Sequence, residues 1–136
     1  SIDGRGMSKQ SFAIMDKIEE VDDMLRSGSA SLRERVVEVH PEVSFCLWNG
    51  DRPMTYPKKK SAGRAERRRL IEAAWPGVLE RLEHELDATG ARCGVDDLYD
   101  ALAAVWTARR VRKEDAREFP KQPPRDACGL RMAIVG

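Results

Sequence analysis

The stretch Val36-Val37-Glu38-Val39-His40-Pro41-Glu42-Val43-Ser44-Phe45 decides how the rest of the chain is read. Its opening is β-branched, and Val37 and Val39 alternate with Glu38 and His40, which predicts a short strand. Pro41 carries no amide donor for a ladder and stops it. With Pro41 at its first position and Gly50 at its end, the segment from Pro41 predicts a short helix, with Val43, Leu47 and Trp48 turned inward. Alternation places Glu38 and His40 on one face of the strand and Val37 and Val39 on the other. Glu38, His40 and Glu42 therefore crowd the carboxyl end of a strand, where ligands gather in open α/β sheets. A plainer reading is an exposed strand face, with Glu42 favoured by the dipole of the helix it opens.

The chain has 136 residues, 41% of them apolar and 35% charged. That predicts one domain over residues 1–136, with a core inside a heavily charged surface. A net charge of +1 excludes a global field that would steer the chain to nucleic acid or an anionic membrane, so such binding must come from local patches. Cys46, Cys93 and Cys128 form no CxxC pair, and two histidines complete no familiar zinc spacing with them. Reduced thiols are expected. No apolar run approaches the ~20 residues of a membrane span, and there is no signal-peptide core. A soluble, cytoplasmic protein without a membrane partner is the expectation.

Helical periodicity marks the flanks. Residues 8–26 repeat Phe12, Met15, Ile18, Val21 and Leu25 at steps of three and four, with Ser8 as cap and Gly28 as stop. Residues 50–60 form a proline-containing loop that ends in Lys58, Lys59 and Lys60. Ser61 is placed as the cap of a helix that Pro76 breaks, and another helix follows. Residues 95–116 form the strongest helix, with Leu98, Ala101, Leu102, Val105 and Trp106 as its inward stripe. Leu130, Met132 and Ile134 alternate in a terminal strand. Two strands make a marginal sheet, so the pattern calls for further strands from elsewhere.

Three constellations bear on chemistry. In Val95-Asp96-Asp97-Leu98-Tyr99-Asp100-Ala101, Asp97 and Asp100 lie three apart and Asp96 and Asp100 four apart, on one side of a helix. Acids also suit a first helical turn, with Asp96 as cap. Ala101, Ala104 and Ala108 would let this helix sit close to a sheet edge, bringing Asp97 and Asp100 near a strand end. Clustered carboxylates without a basic partner repel one another, and Mg²⁺ or Mn²⁺ is the neutralising ion that hard oxygen ligands suit. The second constellation is Glu38, His40 and Glu42. The third is basic: Lys58, Lys59 and Lys60 with Arg64, Arg67, Arg68 and Arg69 form either a solvated face or a phosphate-contact surface. Arg109, Arg110, Arg112 and Lys113 are similarly ambiguous. Trp48, Trp75 and Trp106 sit on apolar faces and are assigned to the core. There is no GxSxG and no Walker-type loop.

Taken in order, the blocks GMSKQSFAIMDKIEEVDDMLR, VVEVHPEVSFCLWNG with KKKSAGRAERRRLI, and VDDLYDALAAVWTARR with GLRMAIV resemble the DUF429 family. The resemblance spans about Gly6 to Val135. It implies an α/β, RNase H-like fold, of which this chain is similar to the C-terminal portion, with an incomplete sheet flanked by helices. It also implies metal-dependent phosphodiester hydrolysis, in which Glu38, Asp97 and Asp100 hold Mg²⁺ or Mn²⁺. His40, Glu42 and Asp96 would then support the site, and Lys58, Lys59, Lys60, Arg64 and Arg68 would contact nucleic acid. The VDDLYDALAA block also resembles the last acidic motif of Holliday-junction resolvases. The superfamily's first catalytic Asp sits on a first strand, and that role is not carried onto Asp3, which has no strand ahead of it. Two alternatives follow from that difference. One is a non-catalytic module that binds nucleic acid or protein; the other is a homo-oligomer that completes its sheet through open edges.

Overall fold

A computed structural model describes residues 12–90 and 92–136. Ser8 and Asp3 lie outside the described residues. The chain divides into two compact units, residues 1–37 with 123–132, and residues 38–122 with 133–136. Among the described residues the architecture is helix-rich α/β, with six helices and one small three-stranded open sheet.

The smaller unit carries α1 (Met15–Ser27) and α2 (Ala30–Arg35). Ser29 caps α2 by accepting from the Leu32 N–H. Arg33 reaches back to close the end of α1, donating to the carbonyls of Leu25, Arg26 and Gly28 at 2.8–3.1 Å. The periodic stripe of α1 is present but not buried. Phe12, ahead of α1, is 75% exposed, and Ile18 and Val21 within it are 50% and 47% exposed. In residues 123–132, the Asp126 carboxylate accepts from the backbone of Cys128 and Leu130, and Arg125 pairs with Arg131 in a single bridge.

The larger unit holds β1 (Glu38–Val39), α3 (Pro41–Trp48), α4 (Ser61–Ala74), α5 (Val78–Thr89), α6 (Val95–Arg112), β2 (Glu118–Phe119) and β3 (Ile134–Val135). Sheet order is β1-β3-β2. Glu38 pairs with Ile134 in parallel, and Phe119 pairs with Ile134 in antiparallel sense. Arg117 and Gly136 exchange both backbone hydrogen bonds and lengthen the β2–β3 pairing. The predicted helix over 95–116 stops at Arg112, residues 113–116 turn the chain, and the strand that sequence reading missed follows at Glu118–Phe119. The terminal strand also runs in the opposite phase from the prediction: Ala133 and Val135 are buried, whereas Met132 is 55% exposed.

Pro41 stands at the first position of α3 as expected. Its fully buried face is Ser44 and Phe45, while Val43, Leu47 and Trp48 are half-buried. α4 starts at Ser61 with Lys60 as cap residue, one position earlier than the sequence suggests, and ends at Ala74 with Trp75 as its C-terminal cap before Pro76. Gly77 takes a left-handed conformation at φ 72°, turning the chain into α5.

α6 packs against α3 and α4. Its inward face is Tyr99, Leu102, Ala103 and Thr107, rotated from the predicted stripe, so Ala101 and Val105 face solvent. The cause is small and polar. The Ser44 and Thr107 hydroxyls share a hydrogen bond of 2.8 Å at the α3–α6 contact, and beside Ala103 these short side chains allow close approach. The Ala101, Ala104 and Ala108 stripe expected to approach a sheet edge does not form this contact, since Ala101 and Ala108 are exposed. Phe45, Ile71, Leu79, Tyr99, Leu102 and Ala103 form the core.

Removing one hydroxyl of the buried pair leaves the other unsatisfied. Ser44→Ala and Thr107→Val are each expected to cost about 1–3 kcal/mol in urea unfolding, and the double variant less than their sum. Additive costs would show that the pair is not coupled.

Candidate functional site

Gly63, Glu66 and Arg67 lie on one side of α4, at spacings of three and four, and all are buried. A Cβ on Gly63 would stand 2.1 Å from the Pro57 carbonyl oxygen, so only glycine lets loop 51–60 lie this close. The Glu66 carboxylate accepts the Thr55 N–H at 2.9 and 3.0 Å and the Tyr56 N–H at 3.2 Å. Burial pushes the Glu66 carboxyl upward. The Thr55 and Tyr56 backbone donors and the Arg67 charge outweigh it and hold the group below its ordinary value.

Arg67 is 2% exposed. Its Nε and Nη2 donate to the two Glu42 oxygens at 3.3 and 2.6 Å, and its Nη1 donates to the carbonyls of Tyr56 and Gly63. Its guanidinium carbon stands 5.5 Å from the centre of the Phe45 ring. Arg67 thus belongs to the interior, not to the solvated or phosphate-facing set in which its sequence places it.

The loop clamped in this way delivers Lys58 to the acidic helix. Lys58 Nζ lies 2.7 Å from Asp100 Oδ2, and Arg64 Nε lies 3.0 Å from Asp96 Oδ1. The Asp100 hydrogen bond is the main cause that raises the Lys58 ammonium above its ordinary value, and the nearby Glu42 and Asp96 charges add to it. Glu42 from α3, Asp96 and Asp100 from α6, and Lys58 therefore gather in one seam. Asp97 serves its own helix: its carboxylate accepts the Gly94 N–H at 3.3 Å, so Asp97, not Asp96, closes the first turn. The expected absence of basic partners for these acids is overturned, because cations from the KKKSAGR stretch pair with Asp96 and Asp100.

Glu38 and His40 are exposed on and beside β1. Lys59, Lys60 and Arg69 are exposed cations. Burial raises the Tyr99 hydroxyl above its ordinary value, and the charge of the exposed Arg68 opposes that rise. One Asp100 oxygen, Oδ1, is buried without a partner. The metal that the resemblance implies would be held by Glu38, Asp97 and Asp100. Among the described residues no three His, Cys, Asp or Glu side chains are grouped to hold an ion. With Asp97 on a backbone amide and Asp100 on Lys58, these residues alone do not fit such a centre.

Gly63, Glu66 and Arg67 escaped sequence reading as structural residues, although their spacing was a usable signal. An arginine and a glutamate on the same helix side as a glycine mark an inward polar face.

A helix-rich α/β unit whose acidic and basic blocks meet in a paired-charge seam is the class that fold and site define. The model of one family, "Protein of unknown function (DUF429)", matches residues 1–125, and the chain belongs to that family. No curated protein and no solved structure matches it. Among the described residues no helix is long and apolar enough to cross a membrane.

Two outcomes test the clamp. Arg67→Met is expected to lower unfolding free energy by about 1–3 kcal/mol, because the Tyr56 carbonyl loses its donor while the part-exposed Glu42 can be rehydrated, with Arg67→Lys a poor substitute because an ammonium cannot make the paired contacts. A change below about 1 kcal/mol would refute the clamp. For Glu66 the folded-state value is depressed, so its stabilisation is full above the ordinary carboxylate value of 4.5 and is lost as pH falls through the lower folded value. The stability gap between the parent chain and Glu66→Gln, measured by denaturant unfolding, should shrink between pH 6 and pH 3.

Proposed function

We propose that the chain binds a phosphodiester backbone along the face that carries Lys58, Lys59, Lys60, Arg64 and Arg68. The observation that carries this reading is a charge balance. Lys58, Arg64 and Arg67 are matched by Asp100, Asp96 and Glu42. Lys59 and Lys60 stay exposed next to Lys58, and Arg68 stays exposed one turn from Arg64, as a cationic surplus, and surplus cations on an ordered loop and helix are what backbone phosphates require. Asp96 and Asp100 position Arg64 and Lys58, which bounds the face on the α6 side.

A second reading is metal-dependent phosphodiester hydrolysis within an RNase H-like fold, which the likeness of the EVHPE and DDLYD blocks implies. Asp100 Oδ1 favours it, as a buried acceptor with unused capacity at the centre of the seam. On this reading Glu38, Asp97 and Asp100 are the ligands of Mg²⁺ or Mn²⁺, His40 and Glu42 support them, and further donors complete the site. A second copy, added at the open sheet edge beside Glu38, is one source of such donors.

Binding of a fluorescent single-stranded oligonucleotide is expected to weaken with salt. In Lys59→Gln/Lys60→Gln/Arg68→Gln the slope of log affinity against log salt should be shallower by about 2. An unchanged slope would remove the backbone reading. Calorimetry with Mg²⁺ and Mn²⁺, comparing the chain with Asp97→Asn/Asp100→Asn, separates the two readings. Ion binding that the variant loses supports hydrolysis, and no ion binding by the parent chain leaves the binding module.

A further inference from the structure

The far end of α6 carries a second charged feature. A cleft of about 310 Å³ lies between the ends of α4 and α6, walled by Trp75, Trp106, Arg109, Arg110, Lys113 and Asp115. Its floor is aromatic. Trp48 stacks on Trp106 at 5.3 Å and meets Trp75 edge-on at 5.2 Å, so both cleft indoles are braced from beneath. The Arg110 guanidinium lies 4.7 Å above the Trp106 ring, and that of Arg109 lies 5.6 Å from Trp75.

Cations at a helix C-terminus often do no more than offset its dipole. Here the magnitudes exceed that need. Each of the two helix ends presents about −0.5 charge, about −1 together. The cleft holds three cations, Arg109, Arg110 and Lys113, and one carboxylate, Asp115, which leaves +2 by difference (3 − 1). Only Arg110 is engaged with the loop that follows, through the Asp115 carbonyl and carboxylate. Even so, its Nε is buried without a partner, an unsatisfied donor beside the cleft. Arg109 and Lys113 are exposed, and Arg109 covers a Trp75 face from which an exposed side chain can swing.

We propose that this cleft binds a nucleotide unit. Its phosphate lies between Arg109 and Lys113, and its base takes the place of the Arg109 guanidinium over Trp75. Base–aromatic stacking tolerates any base, because every base presents a π-face. The same chemistry arises from a free mononucleotide or from one residue of a single strand. The single-strand source deepens the backbone reading above and, in that form, rests on it.

Trp75 and Trp106 give a direct readout, because stacking should quench tryptophan fluorescence. The parent chain is titrated with inorganic phosphate, adenosine 5′-monophosphate and an oligothymidylate. The comparison variants are Arg109→Gln/Lys113→Gln and Lys59→Gln/Lys60→Gln/Arg68→Gln. All substituted positions are exposed or at the surface, so folding is retained and is checked by circular dichroism. Quenching by the mononucleotide or the oligonucleotide, weakened about tenfold in the Arg109/Lys113 variant with a salt slope shallower by about 1, supports the cleft. Quenching by the mononucleotide alone keeps the cleft and rejects the backbone reading. Oligonucleotide binding lost only in the Lys59/Lys60/Arg68 variant keeps the backbone reading and rejects the cleft. No quenching by either nucleotide, or equal affinity in the Arg109/Lys113 variant, overturns the cleft.

Discussion

The larger unit is organised around the burial of one guanidinium. Taking Arg67 out of water is costly unless every donor finds an acceptor in good geometry. That demand recruits Glu42 from the first turn of α3 and the carbonyls of Tyr56 and Gly63, from the loop and from α4 itself. Glu42 keeps part of its surface in water, 39% of the side chain, so only one member of the pair bears full desolvation. The arrangement explains why Gly63 must be glycine, why the loop lies flat on α4, and why Glu66 turns inward to hold the Thr55 and Tyr56 amides. A loop with its backbone donors and acceptors both engaged by one helix is a rigid platform, and Lys58 projects from it.

From Arg67 a column of flat groups crosses the unit. Phe45 lies under the guanidinium, Trp48 stacks on Phe45 with planes 4° apart, Trp106 stacks on Trp48, and Arg110 closes the far end. Both terminal guanidiniums are held by carboxylates, Glu42 at one end and Asp115 at the other. Cation–π attraction at the ends and offset stacking in the middle resist sliding of α3 against α6. The seam and the Trp75–Trp106 cleft are thus the two ends of one packed element, and this ties the placement of their surface cations to the same core.

Much of the fold was legible because it follows from local rules. Pro41 opening α3, Gly28 closing α1 and Pro76 separating α4 from α5 each act on the backbone within a few residues. The face of α6 was not legible, because apolar periodicity favours Ala101 and Val105, whereas tertiary contact selects Thr107 for its bond to Ser44, 63 positions away in sequence. The end of α6 was misplaced for a related reason. Its charged tail reads as helix, but Glu114 takes a positive φ of 58° and turns the chain toward Glu118 and Phe119, which pair with β3. The candidate site was half legible: the acidic helix and the basic stretch are visible as types, but their mutual pairing is not. Charges in a sequence reveal no partners, and Arg67 looks like Arg64 until burial separates them.

That pairing changes what the acidic residues are for. Three carboxylates on one helix, taken alone, repel and ask for an ion. Once Arg64 and Lys58 approach, Asp96 and Asp100 are neutralised from within the chain, and Asp97 gains an amide donor as well as a place at the positive end of the helix dipole. A divalent ion would then have to compete with Lys58 at 2.7 Å, on a loop that Gly63, Glu66 and Arg67 hold in place, and with Arg64 at 3.0 Å, on α4 itself. Lys58 is the weak point of that competition, since it sits on a flexible stem and about a third of its side chain is exposed. A phosphate arriving at Lys58 would draw its ammonium from Asp100 and free a second carboxylate oxygen beside the unpartnered Oδ1. Under the proposed phosphodiester binding, occupancy at Lys58 and exposure of Asp100 would be coupled through one lysine.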